Sequence, residues 1–391
     1  MKWLGMSALI ILSLSACTQK KAETPKTDAL FVLEESSGIE FSNMIKNTTD
    51  FNIFSYRNFY NGGGVAIGDI NNDGLPDVYL TANMGQNKLF LNKGGFKFED
   101  ITEKSGAGGK RAWSTGVVLV DINNDGFLDI YVCNAGNVGG DDRLNELFIN
   151  NGNLTFTEKA KEYGLADNGF TTHAAFFDYD QDGDLDVYIL NNSFIPVSSL
   201  GYDNKRELPE KDWNIDPQYI GGADKLLENQ NGVFVDVSNK AGIYGSLIGF
   251  GLGVTVGDVN NDFLPDIYVS NDFYERDYLY INNGDGTFKE DGKNWMEHMS
   301  MSSMGADMAD INNDGKPEIF VTDMLPESDE RLKRTSDFQR NDIYQLLVSR
   351  DFHHQFMHNA LQLNNGNNTF SEIAFGAGVA ATDWSSGSPD L

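Results

Sequence analysis

The sequence predicts an all-β protein, a β-propeller whose blades are four-stranded antiparallel sheets with an acidic loop between the first and second strands. Two observations carry that prediction. An acidic nonapeptide recurs five times: DINNDGLPD at 69–77, DINNDGFLD at 121–129, DYDQDGDLD at 178–186, DVNNDFLPD at 258–266 and DINNDGKPE at 310–318. A second motif follows each copy: LFLNKGGFKFED from Leu89, LFINNGNLTFTE from Leu147, LLENQNGVFVD from Leu226, LYINNGDGTFKE from Leu279 and LQLNNGNNTFSE from Leu361.

The spacing orders these pieces into units. From second motif to next acidic loop the distance is nearly constant: Leu89 to Asp121 is 32, Leu147 to Asp178 is 31, Leu226 to Asp258 is 32 and Leu279 to Asp310 is 31. From acidic loop to second motif it is 20, 26, 48, 21 and 51. Insertions therefore enter at one point of the unit, as when loops on one face of a repeat array are free to grow.

Each unit reads as four strands. An apolar run such as Gly116–Val120 enters the acidic loop, and DIYVCN alternates as it leaves. LFINN and LTFTEKA flank an Asn-Gly turn, a strong hairpin signal. Gly stands five residues before the first Asp in four copies (Gly64, Gly116, Gly253, Gly305), with His173 in the third, which suits a strand crowded near a central axis. No Pro-, Ser- or charge-rich linker separates the units, so they form one array. Adding 31 to Leu361 places a sixth loop at 392, one past Leu391, and Gly387 stands five before it. The expectation is a propeller of six or seven blades spanning 30–391 here, with its C-terminal part missing. Leu30–Asn43 reads as outer-strand material.

The N-terminus reads as an address. Residues 1–16 form a short secretory signal, with an apolar run from Ser7 to Leu14. Ser15 and Ala16 before Cys17 resemble a bacterial lipobox, which implies lipidation of Cys17 and membrane attachment through lipid alone. Residues 17–29 are a polar tether. The expected location is extracytoplasmic, on the outer membrane. Two Cys cannot build a disulfide framework, and Cys133 is expected as a buried strand thiol. With 58 Asp+Glu against 29 Lys+Arg, the net charge of −29 excludes nucleic-acid binding and docking of the protein surface on anionic lipid.

The acidic loops have the donor pattern of a hard-cation site. Positions 1, 3, 5 and 9 supply side-chain oxygens and position 7 a backbone carbonyl. The candidate ligands are Asp69, Asn71, Asp73, Leu75 and Asp77; Asp121, Asn123, Asp125, Phe127 and Asp129; Asp178, Asp180, Asp182, Asp184 and Asp186; Asp258, Asn260, Asp262, Leu264 and Asp266; Asp310, Asn312, Asp314, Lys316 and Glu318. Charges about 4 Å apart repel by roughly 1 kcal/mol even in water, so the third loop, with Asp at all five odd positions, calls for a cation. An EF-hand would need a bidentate Glu at position 12, where Leu80, Val132 and Ile189 stand instead. About five structural Ca²⁺ are expected. The fourth loop departs from the pattern, with Phe263 in place of Gly.

With their LFxNNGxxxF hairpins, these loops resemble the FG-GAP/VCBS repeats of integrin α-subunit propellers. NGGGVAIGDINNDGLPDVYL, DMLPE at 323–327, LQLNNGNNTFSEI and ATDW at 381–384 resemble the bacterial relatives of cartilage acidic protein more closely. The resemblance covers about residues 30–391 and implies a calcium-binding propeller, lipid-anchored or secreted.

Insertions between second and third strands fall on the face opposite the acidic loops. By analogy with integrins that face is expected to bind the partner, a protein or a glycan. Asn191–Asp224 carries Tyr202, Trp213 and Tyr219, and Asp323–Ala360 contains a stretch that reads as helical and ends in His354 and His358. That histidine pair reads as a basic helix face, because no acidic or Cys partner stands at fixed spacing. Trp113 and Trp384 read as packing residues. No GxSxG, P-loop, HExxH or CxxC is present. The sequence therefore reads as a binding and adhesion module. The alternatives are a calcium-dependent polysaccharide lyase and an accessory subunit of an outer-membrane uptake complex.

Overall fold

A computed structural model of the chain describes residues 32–34, 36–136, 143–195, 206, 210–212, 216, 219–273, 275–335 and 340–383. The chain divides into two compact units, Met1–Ser37 and Gly38–Leu391. The few described residues of the first include exposed Val32 and Leu33.

Among its described residues the second unit holds five four-stranded antiparallel sheets, each in simple sequence order. Blade 1 is β1 (Val65–Gly68), β2 (Asp77–Leu80), β3 (Lys88–Asn92) and β4 (Phe98–Asp100). Blade 2 is β5 (Ser114–Val120), β6 (Asp129–Asn134), β7 (Glu146–Asn150) and β8 (Phe156–Glu158). Blade 3 is β9 (Thr171–Phe177), β10 (Asp186–Asn191), β11 (Lys225–Asn229) and β12 (Phe234–Asp236). Blade 4 is β13 (Gly251–Gly257), β14 (Asp266–Asn271), β15 (Tyr278–Asn282) and β16 (Phe288–Glu290). A short strand β17 (Met299–Ser300) precedes blade 5, which is β18 (Ala306–Ala309), β19 (Glu318–Val321), β21 (Ala360–Asn364) and β22 (Phe370–Glu372). Between β19 and β21, β20 (Gln355–Phe356) pairs in parallel with β17.

The acidic nonapeptide joins first to second strand in every blade, and the two long insertions join second to third, as the spacing predicts. The first strands β1, β5, β9, β13 and β18 lie side by side in that order. Their backbones approach closely: a Cβ on Gly116 would sit 2.5 Å from the Thr172 carbonyl oxygen, and one on Gly64 2.8 Å from that of Thr115. His173 fills the equivalent place in blade 3, half-buried, with its imidazole held below the ordinary value by desolvation.

Four apolar cores lie between successive blades. Tyr79 and Leu91 meet Val117 and Ile130 between blades 1 and 2, and Val120 and Leu147 meet Val187 and Leu227 between 2 and 3. Tyr188 and Leu226 meet Val269 and Tyr280 between 3 and 4, and Tyr268 and Leu279 meet Ile319 and Val321 between 4 and 5. In blades 2 to 4 the second strand is buried along its whole length, which explains the apolar run that follows its D-(V/I)-Y start; in blade 5 the start is Glu318-Ile319-Phe320. The buried tyrosines of these strands satisfy their hydroxyls on Ala107 O (Tyr79, 2.6 Å), Leu165 O (Tyr131, 3.1 Å), Asp224 (Tyr188, 2.8 Å) and Asp277 (Tyr268, 2.5 Å). Cys133 is buried in β6 as expected, and burial pushes its thiol up.

Two features depart from the sequence reading. The described part of Leu30–Asn43 forms no strand; the Asn43 side chain instead donates to Asn83 Oδ1 and accepts from the Asn83 backbone N–H. Each fourth strand is also followed by a one-turn helix: α1 (Thr102–Ser105), α2 (Ala160–Tyr163), α3 (Ser238–Ala241), α4 (Gly292–Trp295) and, after the insertion helices α5 (Asp329–Thr335) and α6 (Asn341–Ser349), α7 (Ala374–Ala377). The acidic residue ending the second motif starts each turn by accepting the first helical N–H: Asp100 from Thr102, Glu158 from Ala160, Asp236 from Ser238, Glu290 from Gly292 and Glu372 from Ala374. No helix of the described residues is long and apolar enough to cross a membrane.

Candidate functional site

The five acidic loops repeat one geometry. The position-1 carboxylate accepts two backbone N–H groups: Asp69 takes those of Asp73 (3.1 Å) and Gly74 (2.7 Å), and Asp121, Asp178, Asp258 and Asp310 do the same in their loops. The position-5 carboxylate accepts from position 7, as Asp125 does from Phe127 at 2.9 Å. The buried position-9 carboxylate accepts from position 2 and from the third strand, as Asp77 does from Ile70 (3.0 Å) and Asn92 (2.7 Å). Position 4 is left-handed in all five loops, and so is position 6. Third-strand asparagines stitch neighbouring blades through these loops: Asn150 donates to Ile70 O, Asn282 to Tyr179 O and Asn364 to Val259 O, each at 2.8 Å.

This frame crowds carboxylates. Burial pushes Asp129 up to about 6 and Asp186 and Asp266 to about 7, against the pull of the backbone amides each accepts. In the third loop, burial and neighbouring carboxylates raise Asp180 and Asp184 too. Asp178, Asp180 and Asp186 each bring one oxygen within 4.8 Å of the others. An all-oxygen donor set on a tight loop, short of positive charge, fits Ca²⁺. Two loops differ. Phe263 keeps the left-handed turn of loop 4 at φ +69° with its ring 86% exposed, and in loop 5 Lys316 Nζ lies 3.2 Å from Asp314.

The opposite face is irregular. A cavity of about 790 Å³ opens there between the blade 2–3 connection, the blade 3–4 connection and the first insertion. Arg143, Glu210, Ile220, Asp224, Lys225 and Tyr244 are among its lining residues. Glu210 is fixed by the amides of Gly221 (2.8 Å) and Ala223 (3.1 Å). Asp224 takes the Asn191 amide and the Tyr188 hydroxyl, both at 2.8 Å, and burial raises its carboxyl to about 7. Lys225 pairs with Asp167, and the Arg143 guanidinium lies 3.9 Å above the Phe170 ring. Beside the cavity, buried Arg206 and Glu275 approach to 2.9 Å, close but not aligned as a hydrogen bond. The sequence reading did not single out these residues, because they come from separated stretches with no fixed spacing.

Of the residues expected on this face, Tyr219 leans on Phe194 (6.0 Å), which stacks on Phe170 (4.6 Å). Trp113 joins Phe51, Tyr56 and Phe59 in an aromatic cluster, the packing role expected of it. His354 and His358 do not share a helix: α6 ends at Ser349, and the chain then turns into β20. His354 contacts the Tyr344 hydroxyl (2.6 Å), whereas His358 faces His298, with ring centroids 5.6 Å apart. Cys17, Tyr202, Trp213 and Trp384 lie outside the described residues.

The model of the FG-GAP-like repeat family matches residues 69–132, 135–189 and 259–321. Cartilage acidic protein 1 of Xenopus tropicalis is 27% identical over 271 residues, covering 66% of this chain and 39% of that protein. Cartilage acidic protein 1 of Mus musculus is 31% identical over 134 residues, covering 34% of this chain and 20% of that protein. The chain thus spans two fifths or less of these relatives. Among solved structures, an Agrocybe aegerita lectin recognising non-reducing terminal N-acetylglucosamine has a TM-score of 0.40 at 16% identity, covering 80% of this chain and 65% of that one. The V. cholerae biofilm matrix protein Bap1 has a TM-score of 0.36 at 11% identity, covering 79% and 38%.

Proposed function

Because this chain carries FG-GAP-like repeats and is related in sequence to cartilage acidic protein 1, we propose that it is an extracytoplasmic binding module that holds calcium on one face and its partner on the other. The lipid on Cys17 attaches it to the outer membrane, and Ca²⁺ in the acidic loops fixes the blade connections without a catalytic task. The observation that carries the binding reading is the 790 Å³ cavity on the insertion-bearing face. Its lining sets fixed carboxylates, an ammonium and a guanidinium beside the Tyr244 ring. Polar groups converging next to one aromatic suit a short glycan better than an apolar small molecule.

The test is a glycan array probed in excess calcium with the parent and with Ile220→Asp, a change at a half-exposed rim position. The expected result is retention of a defined glycan by the parent and its loss in the variant, with unchanged melting. If the array stays blank but the variant abolishes capture of an outer-membrane protein, the partner is a protein. Equal retention by parent and variant, or release of unsaturated sugars, would overturn the reading.

A further inference from the structure

Blade 5 carries a cluster that the acidic loops do not account for. His298 precedes β17, His358 follows β20, and Glu372 ends β22. Each offers one ligand atom, and the three atoms lie within 4.8 Å of one another. Their convergence is built into the fold. β17 and β20 pair in parallel, Met299 opposite Gln355, which ties the blade 4–5 connection to the end of the second insertion, and the His298 and His358 rings meet with centroids 5.6 Å apart.

The atoms not pointed at the cluster are already engaged. His358 Nδ1 lies 2.6 Å from the Asn359 carbonyl oxygen; a carbonyl only accepts, so Nδ1 carries the proton and Nε2 keeps its lone pair. Glu372 Oε1 accepts from Leu361 N (3.1 Å) and Ala374 N (2.6 Å), which leaves Oε2, 3.6 Å from His298 Nε2. Metal bonds of about 2.0–2.1 Å set tetrahedral ligand atoms about 3.3 Å apart, so this pair needs little movement to share an ion. Gln362 stands directly opposite Glu372 across β21 and β22, on the same face. Its Nε2 donates to the His298 carbonyl at 2.9 Å, while its Oε1, in a residue 1% exposed, has no hydrogen-bond partner among the described residues. The rings of Phe356 (5.3 Å from His298) and Phe375 (5.0 Å from His358) form an apolar rim.

We propose that His298, His358 and Glu372 bind one divalent transition-metal ion of the Zn²⁺ class, with the Gln362 amide oxygen or a water as fourth ligand. Two imidazoles in the set disfavour Ca²⁺, which takes oxygen, and favour Zn²⁺, which takes nitrogen and oxygen in a tetrahedron. The ion clasps the blade 4–5 connection, the end of the second insertion and the outer strand of blade 5. That places it on the insertion-bearing face, away from the acidic loops.

The experiment titrates the full chain, saturated with calcium and freed of transition metals, with Co²⁺ and then with Zn²⁺. About one Co²⁺ per chain should bind with the strong visible absorption of tetrahedral cobalt, and Zn²⁺ should abolish that absorption. His298→Ala, at a partly exposed position, should weaken binding at least about 100-fold with unchanged melting, and His358→Gln should do the same. His354→Ala should bind as the parent does. Absence of a tetrahedral spectrum in the parent would overturn the site, as would parental affinity in both the His298 and His358 variants.

Discussion

The two faces of this molecule solve the same problem, how to connect strands, in opposite ways. On the acidic face one nonapeptide is used five times, and the bonds that shape the loop itself are local: position 1 to positions 5 and 6, position 5 to position 7, position 9 to position 2. The bonds that tie it to the next blade repeat as well, one third-strand asparagine at a time. On the insertion-bearing face each connection differs, and its polar contacts span long stretches of chain. Arg206 meets Glu275, Tyr188 meets Asp224, and His298 meets Glu372. Local bonds make a loop that folds alike wherever its sequence recurs. Long-range bonds make a surface that exists only when several blades are in place. A tolerant face, proposed to be held by ions, and a singular, network-held face should therefore respond differently to perturbation.

The largest expected difference is the response to calcium. A site saturated at a hundred times its Kd adds about 2.7 kcal/mol, so stripping several loops removes on the order of 10 kcal/mol, comparable to the whole stability of a domain. Thermal unfolding in excess calcium and in EGTA should differ by tens of degrees. Loops 4 and 5 should be the weakest binders in a titration, because Phe263 and Lys316 depart from the pattern. An unchanged midpoint would remove the ion-held half of the comparison.

On the other face the corresponding lesion is a single side chain. Arg206→Met leaves Glu275, fully buried, without its nearest cation. Breaking one partner of a buried pair costs about 3–5 kcal/mol, read as a lower urea midpoint in saturating calcium. Asp73→Asn, which weakens one loop among five, should lower the same midpoint by less, at most the roughly 2.7 kcal/mol of a single saturated site. Equal losses would mean that the acidic loops are no more tolerant than the networks opposite.

This contrast also explains what could be read in advance. The blades, their strand order, the single insertion point and the glycine before four of the five acidic loops followed from arithmetic on local motifs. The one-turn helices were missed although their signal was present, in the terminal Asp or Glu of the second motif, because one turn is too short to show helical periodicity. The cavity and the His298 cluster were not legible. His358 has a tempting neighbour at i−4, and its actual neighbours lie in another connection and another strand. Spacing reveals ligands only when they share one element.

A pH series sharpens the comparison further. Asp224 and Asp277, buried beside tyrosine hydroxyls, have folded-state values near 7, against about 3.9 in an unfolded chain. The folded state binds these protons more tightly, so their contribution is fully present at low pH and is lost as pH rises through 7. Between pH 8 and 6 each should add about 1.4 kcal/mol. The urea midpoint in saturating calcium should therefore rise on acidification over that window, and Asp224→Asn should flatten the rise. A midpoint that falls over the same window would reverse the sign and remove this account of the insertion-bearing face.

The smallest effect tests the acidic face on its own terms. Phe263 occupies the position where the other four loops have glycine, and it adopts the same left-handed turn, at φ +69° against +82° to +96° for the glycines. Its amide still bonds Asp258 at 2.7 Å, so the loop is preserved and the residue bears the conformational penalty. The ring is 86% exposed, so burial returns little. Left-handed backbone disfavours a side chain by roughly 1–2 kcal/mol, partly offset by the extra freedom a glycine has in the unfolded chain. Phe263→Gly should therefore stabilise the protein by about 1 kcal/mol, and it should tighten the weakest steps of a calcium titration. If the ring instead serves as a contact, capture of a partner by the acidic face should fall in the variant while stability rises, and that result would move binding to the face assigned here to ions alone.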